Sequence, residues 1–533
     1  MPETGRINAR ELLTRHYLIF LGLGTYLAIF LLCRVGTIQD YLYFQPISRD
    51  AFDILDAVWK NLSLPFEAKN YHSYGPFSYL LTEGAVRLWS LGAAPTYLAT
   101  WKTYQFLCFL SGLVCLSVLY GILRRYIAST ALIALGLAAL LVNETFLRYS
   151  LELHPDVIML ALCMLGFYVS VIFFEEYWKD NRINYRLLSA ALFCFALGYF
   201  TKRTPLIFIA ADLGLFFCVV IYKKRFSDLL DRRVWLPILG LIAFIGLATY
   251  LVNDYNKEYS FLTYLNKHKL GVVVKAEDQM SLPFYYFFRD TFSPTHLPFF
   301  ITLFFYPAIL FVKRGLDDNS RVILYFWALF IVFVGSLFKI GWYGVHHIRY
   351  AFLTVPIMIV PSLLAMESIR KRLSNRAVWI GILALCLGCL VYQVNTQKIT
   401  YAMYLYPKGH PVNSATDYLK DILDKNPKVK LVVGKDEYVL LFTHPNLQSF
   451  FISKDKCDFD KDPLGKPDLI FVNMEVRDYR DKVNQIKDIW APLHCLRAAG
   501  SGYQMIKKFQ YNKDLPGIEI YLNKDTSARI TIP

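Results

Sequence analysis

Residues 36–81 read GTIQDYLYFQPISRDAFDILDAVWKNLSLPFEAKNYHSYGPFSYLL and form the first long polar interruption after an apolar first helix. The part that begins at Asp50 has the spacing of a short amphipathic helix, which predicts that Ile54, Leu55 and Trp59 lie on a bilayer surface. A carboxylate at the start of that helix is a candidate for chemistry where the membrane meets water. In the alternative interpretation, the acids of this segment only cap the helix.

The composition is that of a membrane protein. Of 533 residues, 55% are hydrophobic and 19% are charged, whereas soluble proteins carry about 25% charged residues. Apolar runs close to the ~20 residues that span a bilayer recur along the chain. The formal charge is +15, but the basic residues cluster between apolar runs, as the positive-inside rule requires. We therefore predict a polytopic α-helical membrane protein with about eleven spans, surrounded by membrane lipids and without a nucleic-acid partner.

Two domains are predicted. Residues 1–400 form the transmembrane domain, with an acidic outer loop at 36–81 and a long outer loop at 253–296. An N-terminus in the cytoplasm and eleven spans place residues 401–533 outside. There, short apolar runs of strand length alternate with helical patterns, which indicates a small extracytoplasmic α/β domain. The strand candidates are KLVVG, SFFIS, DLIFVN, YQMIKKF and IEIYLN.

The cysteines give no metal site. Cys386 and Cys389 have a Cys-x-x-Cys spacing, but they lie in an apolar run without polar ligands, so we read them as small apolar residues of a helix. Cys457 and Cys495 lie in the predicted outer domain, where a disulfide and two separate thiols are both open alternatives. No ligand cluster has a recognised metal spacing, and the need for a divalent cation is left open.

Ionisable residues fall in four groups on the predicted outer face. Such residues close to a membrane core are costly and are functional candidates. Each group has a structural alternative, because acids can cap a helix and lysines can extend toward the interface. Two acidic and two basic groups on one face nevertheless favour a shared site. The groups are Asp50; Arg148, Glu152, His154 and Asp156; Lys202 and Arg203; and His346, His347 and Arg349.

Several of these residues carry a family resemblance that covers roughly residues 15–400. An aspartate follows the first span, a Gly75-Pro76-Phe77 turn lies downstream, Asp156 opens a later span and Arg349-Tyr350 lies near the last spans. In these features the chain resembles the GT-C glycosyltransferases. It is most similar to glycosyltransferase family 39, which contains protein O-mannosyltransferases and the aminoarabinose transferase of lipid A.

The resemblance implies an enzyme and a donor. The enzyme would move a sugar from a polyprenyl-phosphate carrier to a lipid, glycan or protein acceptor, with inversion at the anomeric carbon. Asp50 would be the catalytic residue, and Asp156 with His154 a second acidic site.

The chain departs from the family pattern in two places. Ala51 follows Asp50 where the protein O-mannosyltransferases have an Asp-Glu pair, and Tyr74-Gly75-Pro76-Phe77 stands where the lipid A enzymes have Lys-Pro-Pro-Leu. A lysine of that turn is therefore missing, and other cations must hold the donor phosphate. The candidates are Lys202, Arg203, Arg349 and Arg148, with Tyr74, His346 and His347 lining the substrate pocket.

Two other function classes fit the sequence less well. A transporter or flippase of lipid-linked sugars would line a path with charges, but here the charges gather at the outer face and no inverted repeat is visible. A structural or sensory membrane protein leaves the acidic first loop unexplained. The weakness of the Asn-x-Ser/Thr sequons favours a bacterial inner membrane, with the site and the C-terminal domain facing the periplasm.

Overall fold

A computed structural model describes most of the helical part of the chain and part of its C-terminal region. The described residues are 9–34, 75–90, 97–151, 154–202, 204–253, 318–339, 353–371, 376–396, 411–433, 449–451, 466–473, 502–510 and 518–533, with isolated positions in 54–62 and 299–302 and at 496. They belong to two compact units. One comprises Met1–Phe30 with Asp53–Lys398, and the other comprises Leu31–Phe52 with Ile399–Pro533.

Apolar helices make up the described part of the first unit. They are α1 (Ala9–Arg34), α2 (Pro76–Ser90), α3 (Tyr97–Tyr126), α4 (Thr130–Leu141), α5 (Glu144–Leu151), α6 (Pro155–Asp180), α7 (Tyr185–Thr201), α8 (Leu206–Tyr222), α9 (Arg232–Asn253), α10 (Asp318–Lys339), α11 (Thr354–Arg370) and α12 (Arg376–Thr396). A short 3₁₀ helix, Phe226–Leu230, follows α8.

Two of the described helices have the length of membrane segments, and the bundle has an apolar surface. Within the described residues, α3 and α6 are each long and apolar enough to cross a bilayer, and several shorter helices are equally apolar. Large apolar side chains such as Leu21, Leu88, Leu247 and Ile380 are exposed on the outside of the bundle, where a soluble protein would carry polar groups. The sequence also predicts a span that ends at Lys313-Arg314, and this span lies largely outside the described residues. The count of eleven spans therefore stays a prediction.

The bundle also contains helices that the sequence did not predict. Helix α2 lies where we placed only the end of a loop and the start of the next segment. Its Glu83 is buried and forms a 2.8 Å ion pair with Arg87 one turn later, so an apparently polar stretch is satisfied within the helix. Helix α5 lies within 143–156, a polar segment after the apolar run 128–142 that the sequence predicts as a short turn.

The expectation of a membrane-surface helix near Asp50 is wrong for the residues that the structure describes there. Ile54, Leu55 and Val58 are helical and fully buried, and Asn61 is buried beside them. The apolar face of this segment therefore packs against protein instead of lipid. An amphipathic pattern predicts that one face is covered, but it does not say by what.

Helices α6 and α7 form a closely packed antiparallel hairpin. A Cβ on Gly166 would lie 2.5 Å from the ring of Phe195, so this glycine allows the two helices to approach. Asn181 ends α6 in the left-handed conformation with φ 52°, and the Asn184 side chain caps α7 by accepting from Leu187 N. The hairpin brings the first turn of α6 and the last turn of α7 to the same end of the bundle.

Helix α11 is the most enclosed element of the described bundle. Every residue from Thr354 to Ser368 is buried, and Glu367 among them is held by the guanidinium of Arg370 at 2.8 Å. Helices α3, α4 and α10 pack against it. A helix that is apolar all round is expected in such a central position.

The second unit contains a five-stranded mixed sheet. Its strands are β1 (Leu431–Val433), β2 (Ser449–Phe451), β3 (Leu469–Asn473), β4 (Tyr503–Phe509) and β5 (Ile518–Asn523), in the order β2-β1-β3-β5-β4. The β1 strand runs parallel to β2 and β3, and β5 runs antiparallel to β3 and β4.

A helix covers this sheet and builds its core. Helix α13 (Pro411–Lys425) buries Leu419 and Ile422 against Leu469, Phe471 and Ile520. The strands lie at the five short apolar runs of the sequence. The helix predicted at 476–490 lies outside the described residues, as do Cys457 and Cys495, and the domain boundary at 400 stays a prediction.

Candidate active site

Asp156 lies in the first turn of α6 and is completely buried. The sequence His154-Pro155-Asp156 forms the helix start: His154 is the N-cap, and its Nδ1 accepts the backbone N–H of Asp156 at 3.2 Å. Pro155 suits the first helical position because no N–H is needed there. The positive end of the helix dipole stabilises a carboxylate at this point.

The imidazole of His154 has a defined tautomer when it is neutral. Because Nδ1 accepts a hydrogen bond, the ring proton is on Nε2. The 3.6 Å approach of Nδ1 to the Asp156 carboxylate is then a contact between two acceptors and not an ion pair. The ring is buried and stacks on Tyr149 of α5, with centroids 4.0 Å apart, and the Cys108 thiol lies 3.6 Å from the His154 carbonyl oxygen.

Lys202 pairs with Asp156 across the α6–α7 hairpin. Its Nζ lies 2.7 Å and 2.9 Å from the two carboxylate oxygens, so the carboxylate is held at both oxygens by a charge-assisted contact. Lys202 is the C-cap of α7, where a cation stabilises the negative end of the helix dipole. The Lys202 side chain is 12% exposed and the Asp156 side chain is 0% exposed.

The glycine of the Tyr-Gly-Pro turn lies against the end of α7, next to Lys202. Gly75 N donates to the carbonyl oxygen of Thr201 at 3.2 Å, one residue before Lys202. A Cβ at Gly75 would lie 1.8 Å from the Phe200 carbonyl oxygen, so no other residue fits without moving the backbone. The turn that the sequence analysis assigned to the acidic first loop therefore meets the end of α7.

The structure brings together part of the predicted site. His154, Asp156 and Lys202 form one buried cluster, although the sequence analysis gave the acid and the lysine separate roles. Arg148 belongs to α5 by its backbone, beside Tyr149. Sequence reasoning missed Tyr149 and Cys108, because neither an aromatic residue nor a cysteine in an apolar stretch is distinctive. The remaining predicted residues lie outside the described residues: Asp50, Tyr74, Glu152, Arg203, His346, His347 and Arg349.

The cluster combines a carboxylate, an ammonium group and an imidazole, a set that suits anion binding and proton transfer. Among the residues that the structure describes, no group of three or more His, Cys, Asp and Glu side chains is placed to hold an ion, and the question of a divalent cation stays open. The ammonium of Lys202 compensates the negative charge of the buried Asp156 carboxylate. In return, the two contacts with the carboxylate fix the direction of the ammonium group.

The fold resembles those of solved membrane enzymes. The chain matches ArnT from Cupriavidus metallidurans in the apo state with a TM-score of 0.53 at 12% identity, covering 93% of this chain and 98% of ArnT. The same protein bound to undecaprenyl phosphate matches with a TM-score of 0.53 at 14% identity, over 94% and 97% of the two chains.

A second protein of known structure has a similar fold. The Archaeoglobus fulgidus oligosaccharyltransferase, tethered to an acceptor peptide that contains the NVT sequon, matches with a TM-score of 0.54 at 12% identity, over 95% of this chain and 81% of the other. No protein-family model and no curated protein sequence matches the chain. At these identities the likeness concerns the fold, and it extends over nearly the whole chain. The chain therefore has the GT-C fold.

Proposed function

We propose that the chain is an integral-membrane glycosyltransferase that moves a sugar from a polyprenyl-phosphate carrier to a lipid, glycan or protein acceptor. The observation that carries this proposal is the buried Asp156–Lys202 pair at one end of a GT-C bundle. The solved relatives lend support: ArnT has been seen with undecaprenyl phosphate, and the archaeal oligosaccharyltransferase with an acceptor peptide. The preferred setting is a bacterial inner membrane with this end facing the periplasm.

The donor phosphate is assigned to the basic residues at this end. Asp156 holds the ammonium of Lys202 in one direction, which reduces the entropy lost when the lysine contacts a phosphate oxygen. Arg148, Arg203 and Arg349 are proposed as further phosphate partners. A positioned cation stabilises the negative charge that grows on the phosphate as it leaves.

The proposed reaction is a single displacement with inversion. An oxygen of the acceptor attacks the anomeric carbon, the bond from that carbon to the phosphate oxygen breaks, and polyprenyl phosphate leaves with the bonding electrons. Asp50 accepts the proton of the acceptor hydroxyl as general base. Tyr74, His346 and His347 are proposed to line the sugar pocket.

The first experiment identifies the product and the second tests the chemistry. Mass spectrometry of lipids and surface glycans from a deletion strain shows which product loses a sugar. Purified protein in vesicles is then given polyprenyl phosphate carrying that sugar, together with the acceptor. Release of free polyprenyl phosphate and glycosylation of the acceptor are expected. Movement of an intact donor across the bilayer, without release, would instead identify a flippase and contradict the proposal.

A matched pair of lysines tests the phosphate assignment. Lys202→Met removes a charged hydrogen-bond donor and is expected to weaken donor binding at least about tenfold. Lys102 lies in the first turns of α3 and is exposed, so Lys102→Met is expected to leave donor affinity unchanged. Equal affinities of both variants and the wild type would place the phosphate elsewhere.

A further inference from the structure

A groove lies at the end of the bundle opposite to Asp156. It is formed by α6, α8 and α10 and has a volume of about 430 Å³, within the range of about 300–1,000 Å³ that small-molecule sites occupy. Trp178 at its rim is 22 residues after Asp156 on α6, which corresponds to about 33 Å along the helix axis. The groove is therefore separate from the candidate active site.

The walls of the groove are apolar and lie on the outer surface of the bundle. Phe174, Leu215, Val219, Val322 and Leu324 form much of its lining, and Cys218 on its edge is exposed. Surface of this kind on a membrane helix faces hydrocarbon chains. A groove open to lipid on one side can hold an acyl chain, which gains little from leaving the bilayer but gains contacts with the protein.

The rim of the groove is aromatic and basic. Trp178 and Tyr222 stack with ring centroids 5.6 Å apart, as aromatic residues do at the boundary of a bilayer. The guanidinium carbon of Arg321 lies 4.8 Å from the Trp178 ring. Lys223 follows Tyr222 directly, and its Nζ donates to the carbonyl oxygens of Tyr177 and Trp178 at 3.0 Å and 2.9 Å.

Positive charge is concentrated at this rim. The pKa of Lys223 is lowered by burial and then by the positive charges of Arg225 and Arg321, against a smaller opposing effect of Asp228. Asp228 is itself held by Arg225 at 2.7 Å.

The acid of the groove does not reverse this balance. Glu175 contacts Arg125 at 2.8 Å, Lys179 at 2.7 Å and the hydroxyl of Tyr126 at 2.8 Å. The negative charge of Glu175, the one carboxylate in the described lining, is therefore compensated by the two cations Arg125 and Lys179. At the rim itself, the charges that act on Lys223 are those of Arg225 and Arg321 against that of Asp228. Basic side chains thus outnumber acidic ones in these contacts.

We infer that this groove binds an anionic phospholipid of the adjacent leaflet. The headgroup phosphate lies at Arg321 beside the Trp178–Tyr222 rim, and one acyl chain follows the apolar wall of α8 and α10. Charge complementarity selects the headgroup, and the apolar groove below it selects a lipid over a free anion. Basic pockets between transmembrane helices on the cytoplasmic side recognise lipid headgroups in this way. The site does not depend on the proposed transferase activity.

Native mass spectrometry of the full chain in detergent tests the inference. We expect phosphatidylglycerol to be retained over phosphatidylcholine with the same acyl chains. Arg321→Gln is expected to reduce phosphatidylglycerol retention about fivefold, the effect of one basic residue near an anionic surface. Arg182→Gln is the matched control, because Arg182 is an exposed residue of the α6–α7 loop at the same end and outside the groove.

A second variant keeps the test decisive if Arg321→Gln does not fold. Cys218→Trp fills the groove from its exposed edge, and Leu239→Trp makes a similar change on the exposed face of α9. Retention is expected to fall only for Cys218→Trp. The inference is overturned if both tryptophan variants retain the lipid equally, if both lipids bind equally, or if inorganic phosphate at the same concentration protects the protein from heat as well as phosphatidylglycerol does.

Discussion

The Asp156–Lys202 pair allows a double-mutant cycle whose size follows from burial. Lys202→Met leaves a carboxylate that is 0% exposed without the ammonium 2.7 Å away. Removing one partner of a buried ion pair costs about 3–5 kcal/mol of unfolding free energy. In Asp156→Leu, the remaining lysine is 12% exposed and can turn toward water. We therefore expect a smaller loss, about 1–3 kcal/mol.

The double variant Asp156→Leu/Lys202→Met removes both charges and fills the space with apolar groups. Such replacements are often neutral, so we expect its stability to return close to that of the wild type. The measurement is denaturant unfolding of the purified protein in one detergent. Lys179→Met is the control for a surface pair, since Lys179 is 45% exposed, and it should cost no more than about 1 kcal/mol. If the two single losses simply add in the double variant, the pair does not contribute as the geometry requires.

The same cycle separates stability from function. Under the proposed function the double variant is stable but inactive, because no ammonium remains at the position of Lys202 to contact the donor phosphate. Activity is measured as release of polyprenyl phosphate from the donor. A double variant that regains both stability and transfer would show that Lys202 acts only as a structural partner of Asp156, and the phosphate assignment would be refuted.

Three further predictions concern the turn, the first loop and the topology. Gly75→Ala is expected to lower both thermal stability and transfer, because its Cβ would lie 1.8 Å from a backbone oxygen, whereas Gly84→Ala, with nothing within 4 Å, should be tolerated; equal behaviour in a thermal-shift assay would contradict this. Asp50→Asn should reduce the transfer rate about 10²–10⁴-fold at unchanged stability, and near wild-type turnover would exclude Asp50 as the base. Thiol labelling of intact cells should reach Cys457 and Cys495 without permeabilisation, with reductant needed if they form a disulfide; labelling only after permeabilisation would place the domain in the cytoplasm.

The sequence predicted the helical bundle well because length and hydropathy are local properties. His154-Pro155-Asp156 predicts a helix start from three adjacent residues, and the structure has it. Lys202 is a harder case, since it is 46 positions after Asp156. Only the packing of α6 on α7 decides whether the two side chains meet or merely share a face.

The features that the sequence did not predict, or predicted wrongly, also depend on packing between distant segments. The role of Gly75 depends on its closeness to the carbonyl oxygen of Phe200 at the end of α7. No pattern in the residues around Gly75 predicts this contact. The burial of Ile54 and Leu55 was misassigned to lipid because an apolar stripe has the same pattern whether protein or hydrocarbon covers it. Helix α2 has no counterpart in the sequence prediction, and its Glu83–Arg87 ion pair forms only once the helix exists.

The enclosed position of α11 has a consequence for biosynthesis. The helices that pack against it, α3, α4 and α10, all precede it in the chain, and membrane proteins are made and inserted from the N-terminus. The described part of its surroundings is therefore synthesised before α11 itself. Helix α11 contains the internal Pro361 and the buried Glu367, whose carboxylate would be costly in lipid. Because its described partners are already made, α11 can pack against protein without a long stay in lipid. The order of the helices along the chain thus also sets the order in which this part of the bundle can assemble.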